Sequence, residues 1–294
     1  MSAAATALGA QVAGRSLWVD AWAKLRRNRA ATLSAWIIGA MTVLVIFGPY
    51  FSSHAFDATD FANTSIGPSW STGHLFGTDT LGRDLFVRTL YGGRISLMIG
   101  IVATAVSLMI GVTYGAVAGY FGGRVDALMM RTVDILYALP FMFFVILLMV
   151  FFGRNIVLIF VAIGAINWLG MARIVRGQTL SLKHREFVEA AQAQGVGPAA
   201  IIRRHIVPNL LGVVAVYVTL TIPQVILVES FLSFLGLGVQ EPMTSWGALV
   251  NDGARELESA PWMLIFPGVF LATALFCFNF LGDGMRDALD PKDR

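Results

Sequence analysis

The residues whose types could carry chemistry are sparse and, for the most part, badly spaced for it. A nucleotide-phosphate cradle needs G-x-x-x-x-G-K-[ST], so that backbone N–H groups and a lysine surround the phosphates. Here the pair Gly-Lys does not occur at all. The zinc-helix pattern H-E-x-x-H and the nucleophile elbow G-x-S-x-G are also missing. His54, His74, His184 and His205 are scattered along the chain without metal-ligand spacing, so no metal is expected. The single cysteine, Cys277, excludes an internal disulfide framework and a cysteine metal site. An enzyme with its own catalytic residues is therefore not expected. Two polar groups remain. Asp79, Arg83 and Asp84 are close enough in sequence to cap a helix and pair locally, or to face an external protein. Glu189 places a fixed charge beside Ala190 and Ala191, whose small side chains let a neighbouring surface approach closely.

The elements that position these groups follow from hydropathy and charge. Hydrophobic residues make up 56% and charged residues 13%, half the charge of a typical soluble domain. Charge-free apolar windows run over 30–56, 95–123, 135–153, 155–172, 205–228 and 259–282. Each reaches the length needed to cross a bilayer as a helix, roughly 17–25 residues. A seventh charge-free stretch, 61–78, is rich in Gly, Pro, Ser and Thr and reads as loop. The expected fold is an all-α polytopic membrane protein of about six transmembrane helices. These are placed near 33–51, 96–119, 135–153, 155–172, 207–229 and 262–282, between a segment 1–32 and a tail 283–294. A cytoplasmic N-terminus puts sixteen of the 21 Lys and Arg residues inside and leaves Arg83, Arg88, Arg94, Arg154 and Arg255 outside. The positive-inside rule therefore predicts that both ends are cytoplasmic. Residues 1–14 lack an apolar core for a cleavable signal, and the first span reads as an uncleaved anchor. Arg26, Arg27 and Arg29 suit anionic lipid heads, and Trp18, Trp22 and Trp262 suit the interface. Pro140, Pro223 and Pro267 fall inside spans and are expected to bend them. Charge-free spans also argue against an ion-coupled carrier, which usually holds its ion with mid-span ionisable groups.

Glu189 belongs to the long basic loop 173–208. Leu180, His184, Phe187, Val188 and Ala191 recur at helical spacing, giving an amphipathic helix. Gly195, Gly197 and Pro198 break it, and Ile201, Ile202 and Ile206 begin a second short helix with Pro198 in its first turn. The pattern predicts a helix–turn–helix outside the membrane. The N-terminal side of span 2, Gly77–Leu97, offers Thr78, Asp79 or Thr80 as a helix cap, with Leu81, Leu85, Phe86 and Thr89 towards the membrane.

Glu189-Ala190-Ala191, Gly195 and Ile206-Val207-Pro208 together resemble the EAA loop of the membrane subunits of ABC importers; the family often has Leu where Val207 stands. Gly77–Leu97, Gly119–Asp134, Phe231–Gly238 and Asn279–Arg294 are similar to the C-type permeases of the peptide/nickel group. Gly14–Trp18, Phe141–Leu148, Ala172–Lys183 and Gln240–Leu249 point to its oligopeptide subgroup. The resemblance implies a type I ABC importer permease fold in a bacterial inner membrane. Glu189, Ala190, Ala191, Gly195, Ile206 and Pro208 would then couple to an ATPase, while Asp79, Arg83 and Asp84 would cap a helix or face a binding protein. It further implies a homologous second permease, two ATP-binding subunits that use ATP and Mg, and an external peptide-binding protein. No cofactor and no nucleic acid are expected on this chain. Dipeptides, nickel chelates or another small solute are the alternative cargo, and an autonomous channel or carrier is the alternative of another class.

Overall fold

The computed structural model describes residues 17–153 and 155–289. Expectations that fall on 1–16, Arg154 and 290–294 lie outside the described residues.

Helices α1 (Leu17–Arg27) and α2 (Arg29–Phe47) meet at Asn28, whose side chain accepts from the Ala31 N–H at 3.2 Å and caps α2. After 3₁₀ turns at Gly48–Phe51 and Phe61–Asn63, the chain has little regular structure until α3 (Leu85–Phe121). Next come α4 (Gly123–Ala138), α5 (Phe141–Phe152), α6 (Ile156–Leu182), α7 (Glu186–Ala193) and α8 (Pro198–Ile201). A π-turn at Ile202–Ile206 leads into α9 (Val207–Phe234), followed by α10 (Trp246–Arg255) and α11 (Trp262–Leu289). Among the described residues there is no named β-strand.

Among the described residues, four helical segments are long and apolar enough to cross a membrane: Arg29–Phe51, Leu85–Phe121, Pro198–Phe234 and Trp262–Leu289. The expected third span, 135–153, is not a single helix. Leu139, held extended before Pro140, ends α4, and α4 and α5 meet at 84°. Twelve residues of α5 rise only about 18 Å, so α4 and α5 make a fifth span only as a bent pair. The fourth window, 155–172, lies within α6, which continues to Leu182.

Helix α3 is the axis of the molecule, with α6 along one side and α9 along another, while α11 packs on α2, α9 and α10. The α3–α6 seam is built from small residues. A Cβ on Gly111 would come within 2.6 Å of Met171, and one on Gly119 within 2.7 Å of the Thr179 Cβ; Gly115 meets the Ala172 carbonyl more closely still. Lipid is as apolar as a leucine side chain, so such helices associate through close backbone approach rather than by escaping water. Large side chains face outward elsewhere, as Trp36, Met109, Val150 and Phe276 do.

Candidate functional site

The loop 173–208 folds differently from two free helices. Leu180 is still in α6, the turn Lys183–Arg185 intervenes, and only then does α7 begin. Helix α7 ends as its glycine dictates. Gly195 takes φ +78°, its N–H donates to the Gln192 carbonyl at 2.9 Å, and the Val196 N–H donates to Ala191 at 3.1 Å. That pair of bonds is a Schellman cap, which wants a left-handed residue at this position. Pro198 occupies the first turn of α8.

The expected second short helix is not separate: α8 and the π-turn run without a break into α9. Pro208 explains the π-turn. It has no N–H to give the Arg204 carbonyl, and its ring crowds that carbonyl. The Val207 N–H instead reaches back five residues to Ile202. The His205 carbonyl accepts from the Asn209 side-chain amide at 2.6 Å.

Val188 and Ala191 on α7 are buried with Ile201, Ile206, Leu210 and Val175 in one apolar cluster. Glu189, Ala190 and Gly195 are exposed. Glu186 and Glu189, in the first turn, complement the helix dipole. The structure thus divides the expected coupling residues: Glu189, Ala190 and Gly195 make a surface, whereas Ala191 and Ile206 anchor it. Beside them Arg176 of α6 grips Asp126 of α4 through two bonds of 2.5 Å, and Arg173 pairs with Asp134 at 2.7 Å.

Asp79, Arg83 and Asp84 come together at the other end of α3, all buried. The Asp79 carboxylate accepts from the Leu81 and Arg83 N–H groups at 2.9 Å and from Arg83 Nε at 2.6 Å. Arg83 also reaches Glu241 at 2.9 Å. The cap of α3 is Asp84, through the Val87 N–H at 2.8 Å, rather than Thr78, Asp79 or Thr80. Leu85 and Thr89 are buried in the protein and not turned to lipid, because α10 and α11 cover this end. Trp262, expected at the membrane interface, donates to the Thr78 carbonyl at 3.2 Å and clamps the irregular segment. A cavity of about 280 Å³ opens here between Asp79, Arg83, Glu241, Asp252 and Arg255. Burial pushes the Asp252 carboxyl above the usual carboxylate range, with Arg88 opposing.

A family model described as the binding-protein-dependent transport system inner membrane component matches residues 111–294, which include the loop 173–208 and both helices it joins. The chain belongs to this family. A second model, the N-terminal TM domain of oligopeptide transport permease C, matches residues 16–68 of this inner-membrane component. The oligopeptide transport system permease protein OppC of Escherichia coli is 59% identical over 284 residues, covering 97% of this chain and 94% of that protein. The Haemophilus influenzae OppC is 58% identical over 97% of this chain and 91% of its own length. The dipeptide transport system permease protein DppC of Bacillus subtilis is 47% identical over 94% of this chain and 86% of its own length.

Three features of this inner-membrane component were not read from its sequence. Glu229, one residue beyond a charge-free window, lies inside α9 and is wholly buried, which corrects the expectation of charge-free spans. It accepts from Ser233 at 2.7 Å and from Ser96 of α3 at 3.3 Å, and the Ser96 oxygen accepts the Trp246 N–H of α10. The second is the repeat Gly111-x-x-x-Gly115-x-x-x-Gly119, a small-residue spacing that does signal a helix seam. His54 and His74, twenty residues apart, are also not scattered in space: their rings lie 4.5 Å apart.

Proposed function

We propose that this chain is one of two homologous permease subunits of an ATP-driven, binding-protein-dependent importer of oligopeptides. The cargo follows the names of relatives 58–59% identical along nearly the whole chain. One observation carries the coupling role: α7 exposes Glu189 and Ala190 while Val188 and Ala191, on its other face, are locked into the cluster shared with α6 and α9. A push on the exposed face passes into two long helices without a loose joint.

In this reading the chain crosses the membrane six times with both ends cytoplasmic, as the basic residues favour. The α7 surface docks on one of two ATP-binding subunits, which use ATP and Mg; this chain hydrolyses nothing and binds no cofactor. An external peptide-binding protein delivers cargo on the side of Asp79, Arg83 and Asp84. Dipeptide cargo is the second reading, favoured by the 47% identical DppC.

The test is reconstitution with the second permease, the ATPases and the binding protein, scored for tri- to pentapeptide uptake. Glu189→Arg is expected to lower uptake and peptide-stimulated ATP hydrolysis at least ~10-fold, about 1.4 kcal/mol of coupling, with an unchanged melting temperature. Normal uptake in that variant would remove α7 from the coupling path. Transport of dipeptides alone would move the cargo to the second reading, and transport by the chain alone in liposomes would defeat the whole scheme.

A further inference from the structure

The segment between α2 and α3 has little regular structure of its own, and Phe56, Phe76 and the Thr78 carbonyl tie parts of it to the helices. Phe51, Phe61 and Trp70 are exposed, whereas Phe56 stacks on Tyr91 and Phe76 on Phe266. Three side chains from separate parts of it converge. Nδ1 of His74 lies 2.8 Å from Oδ2 of Asp84, and Nδ1 of His54 lies 3.9 Å from the same oxygen. One donor atom from each of the three falls within 4.8 Å of the others. Each residue is also fixed by a contact of its own. The His54 N–H donates to Ser52 Oγ at 3.1 Å. The His74 carbonyl accepts from Ser69 and Gly77. The other oxygen of Asp84 caps α3. The His74 and Asp84 side chains are almost fully buried, whereas that of His54 is one-third exposed.

We propose that His54, His74 and Asp84 form a site for a divalent transition-metal ion of the zinc class, which staples this segment to the start of α3. Two imidazoles and one carboxylate are a borderline-soft donor set that favours such ions over Mg²⁺ or Ca²⁺. Bonds of about 2.0–2.1 Å in a tetrahedron place donors roughly 3.3 Å apart. The three therefore reach the geometry if the exposed His54 ring swings inward and His74 parts from Asp84 by about half an ångström. The fourth position is left to water or to a group from a docked protein. The ion takes the place of the hydrogen bond between His74 Nδ1 and Asp84 Oδ2.

The experiment uses the full chain in detergent or nanodiscs, with zinc as the probe and a chromophoric chelator as competitor. One high-affinity zinc per chain is expected, together with a zinc-dependent rise in melting temperature and an absorption-edge spectrum of two imidazoles and oxygen. His54→Ala removes only a partly exposed ring, and Asp84→Asn keeps an oxygen for the helix cap, so both variants should fold. Each is expected to weaken zinc more than about 100-fold, since losing even an outer-shell partner costs 10–100-fold. The pair His184→Ala with His205→Ala, elsewhere on the chain, should bind as the wild type does. Equal zinc affinity in the wild type, His54→Ala and Asp84→Asn overturns the proposal, as does equal binding of Mg²⁺, or a melting temperature that zinc does not move.

Discussion

Gly195 and Glu229 show how much single positions contribute. At φ +78° any residue with a Cβ is strained by roughly 1–2 kcal/mol. Gly195→Val should fray the end of α7, lowering the melting temperature slightly and peptide uptake strongly, because the surface carrying Glu189 loses its fixed angle. Uptake in a reconstituted complex, compared with thermal unfolding of the isolated chain, separates the two effects. Glu229 holds α3, α9 and α10 together through Ser96 and Ser233. Glu229→Gln keeps an acceptor and should cost little. Glu229→Ala removes the acceptor of two buried serine hydroxyls and should destabilise by about 2–4 kcal/mol, read as a lower melting temperature.

Helix seams and joints set what the elements can do. Along α3 the glycine stripe lets α6 approach until backbone touches backbone. A valine at Gly115 would drive its Cβ to 2.9 Å from that of Val175. Gly115→Val should therefore separate the two helices and cost about 1–3 kcal/mol or more, checked by thermal unfolding. The π-turn is a joint of another kind, present because Pro208 cannot donate. Pro208→Ala restores that donor and allows the turn to rewind as α-helix. Losing one residue of register rotates Ile201–Ile206 by about 100° relative to α9. The expected result is a melting temperature no lower than wild type, with reduced coupling between ATP hydrolysis and uptake; undiminished coupling would show that the joint has no role in it.

At the scale of the molecule, two polar assemblies sit at opposite ends of α3: the ion-paired cluster around Asp79 and Arg83, and the exposed face of α7 beside the Arg176–Asp126 pair. Between them run helices whose contacts are tight and mostly apolar. The arrangement suits a body that moves as a unit when pushed at one end. With α7 occupied by an ATPase, hydrogen exchange is expected to slow in residues 186–206 and to stay unchanged along the α3–α6 seam; slowing spread evenly through the helices would contradict rigid transmission.

Helical class, the apolar windows, the stop at Gly195 and the EAA spacing are local properties, and the sequence alone determined them. Hydropathy is a sum over neighbours, a left-handed glycine answers to its own φ, and Pro198 suits a first turn wherever it lies. Other features depend on which distant residues meet, and only the tertiary structure decided them. Pro140 announced a bend, but its 84° depends on what α4 and α5 pack against. Asp84 rather than Thr78 caps α3 because the helix begins only at Leu85, while the Thr78 hydroxyl donates to the Asn63 carbonyl, fifteen residues away, at 2.6 Å. Glu229 closed an apolar window and looked like its edge, until Ser96 of α3 and Ser233 of α9 met it. His54 and His74 read as unrelated across twenty residues, and only the folded segment set them beside one carboxylate. Pairings of this kind arise from loop closure, whose cost rises slowly with length, so nothing in the spacing of two residues reports that they will touch.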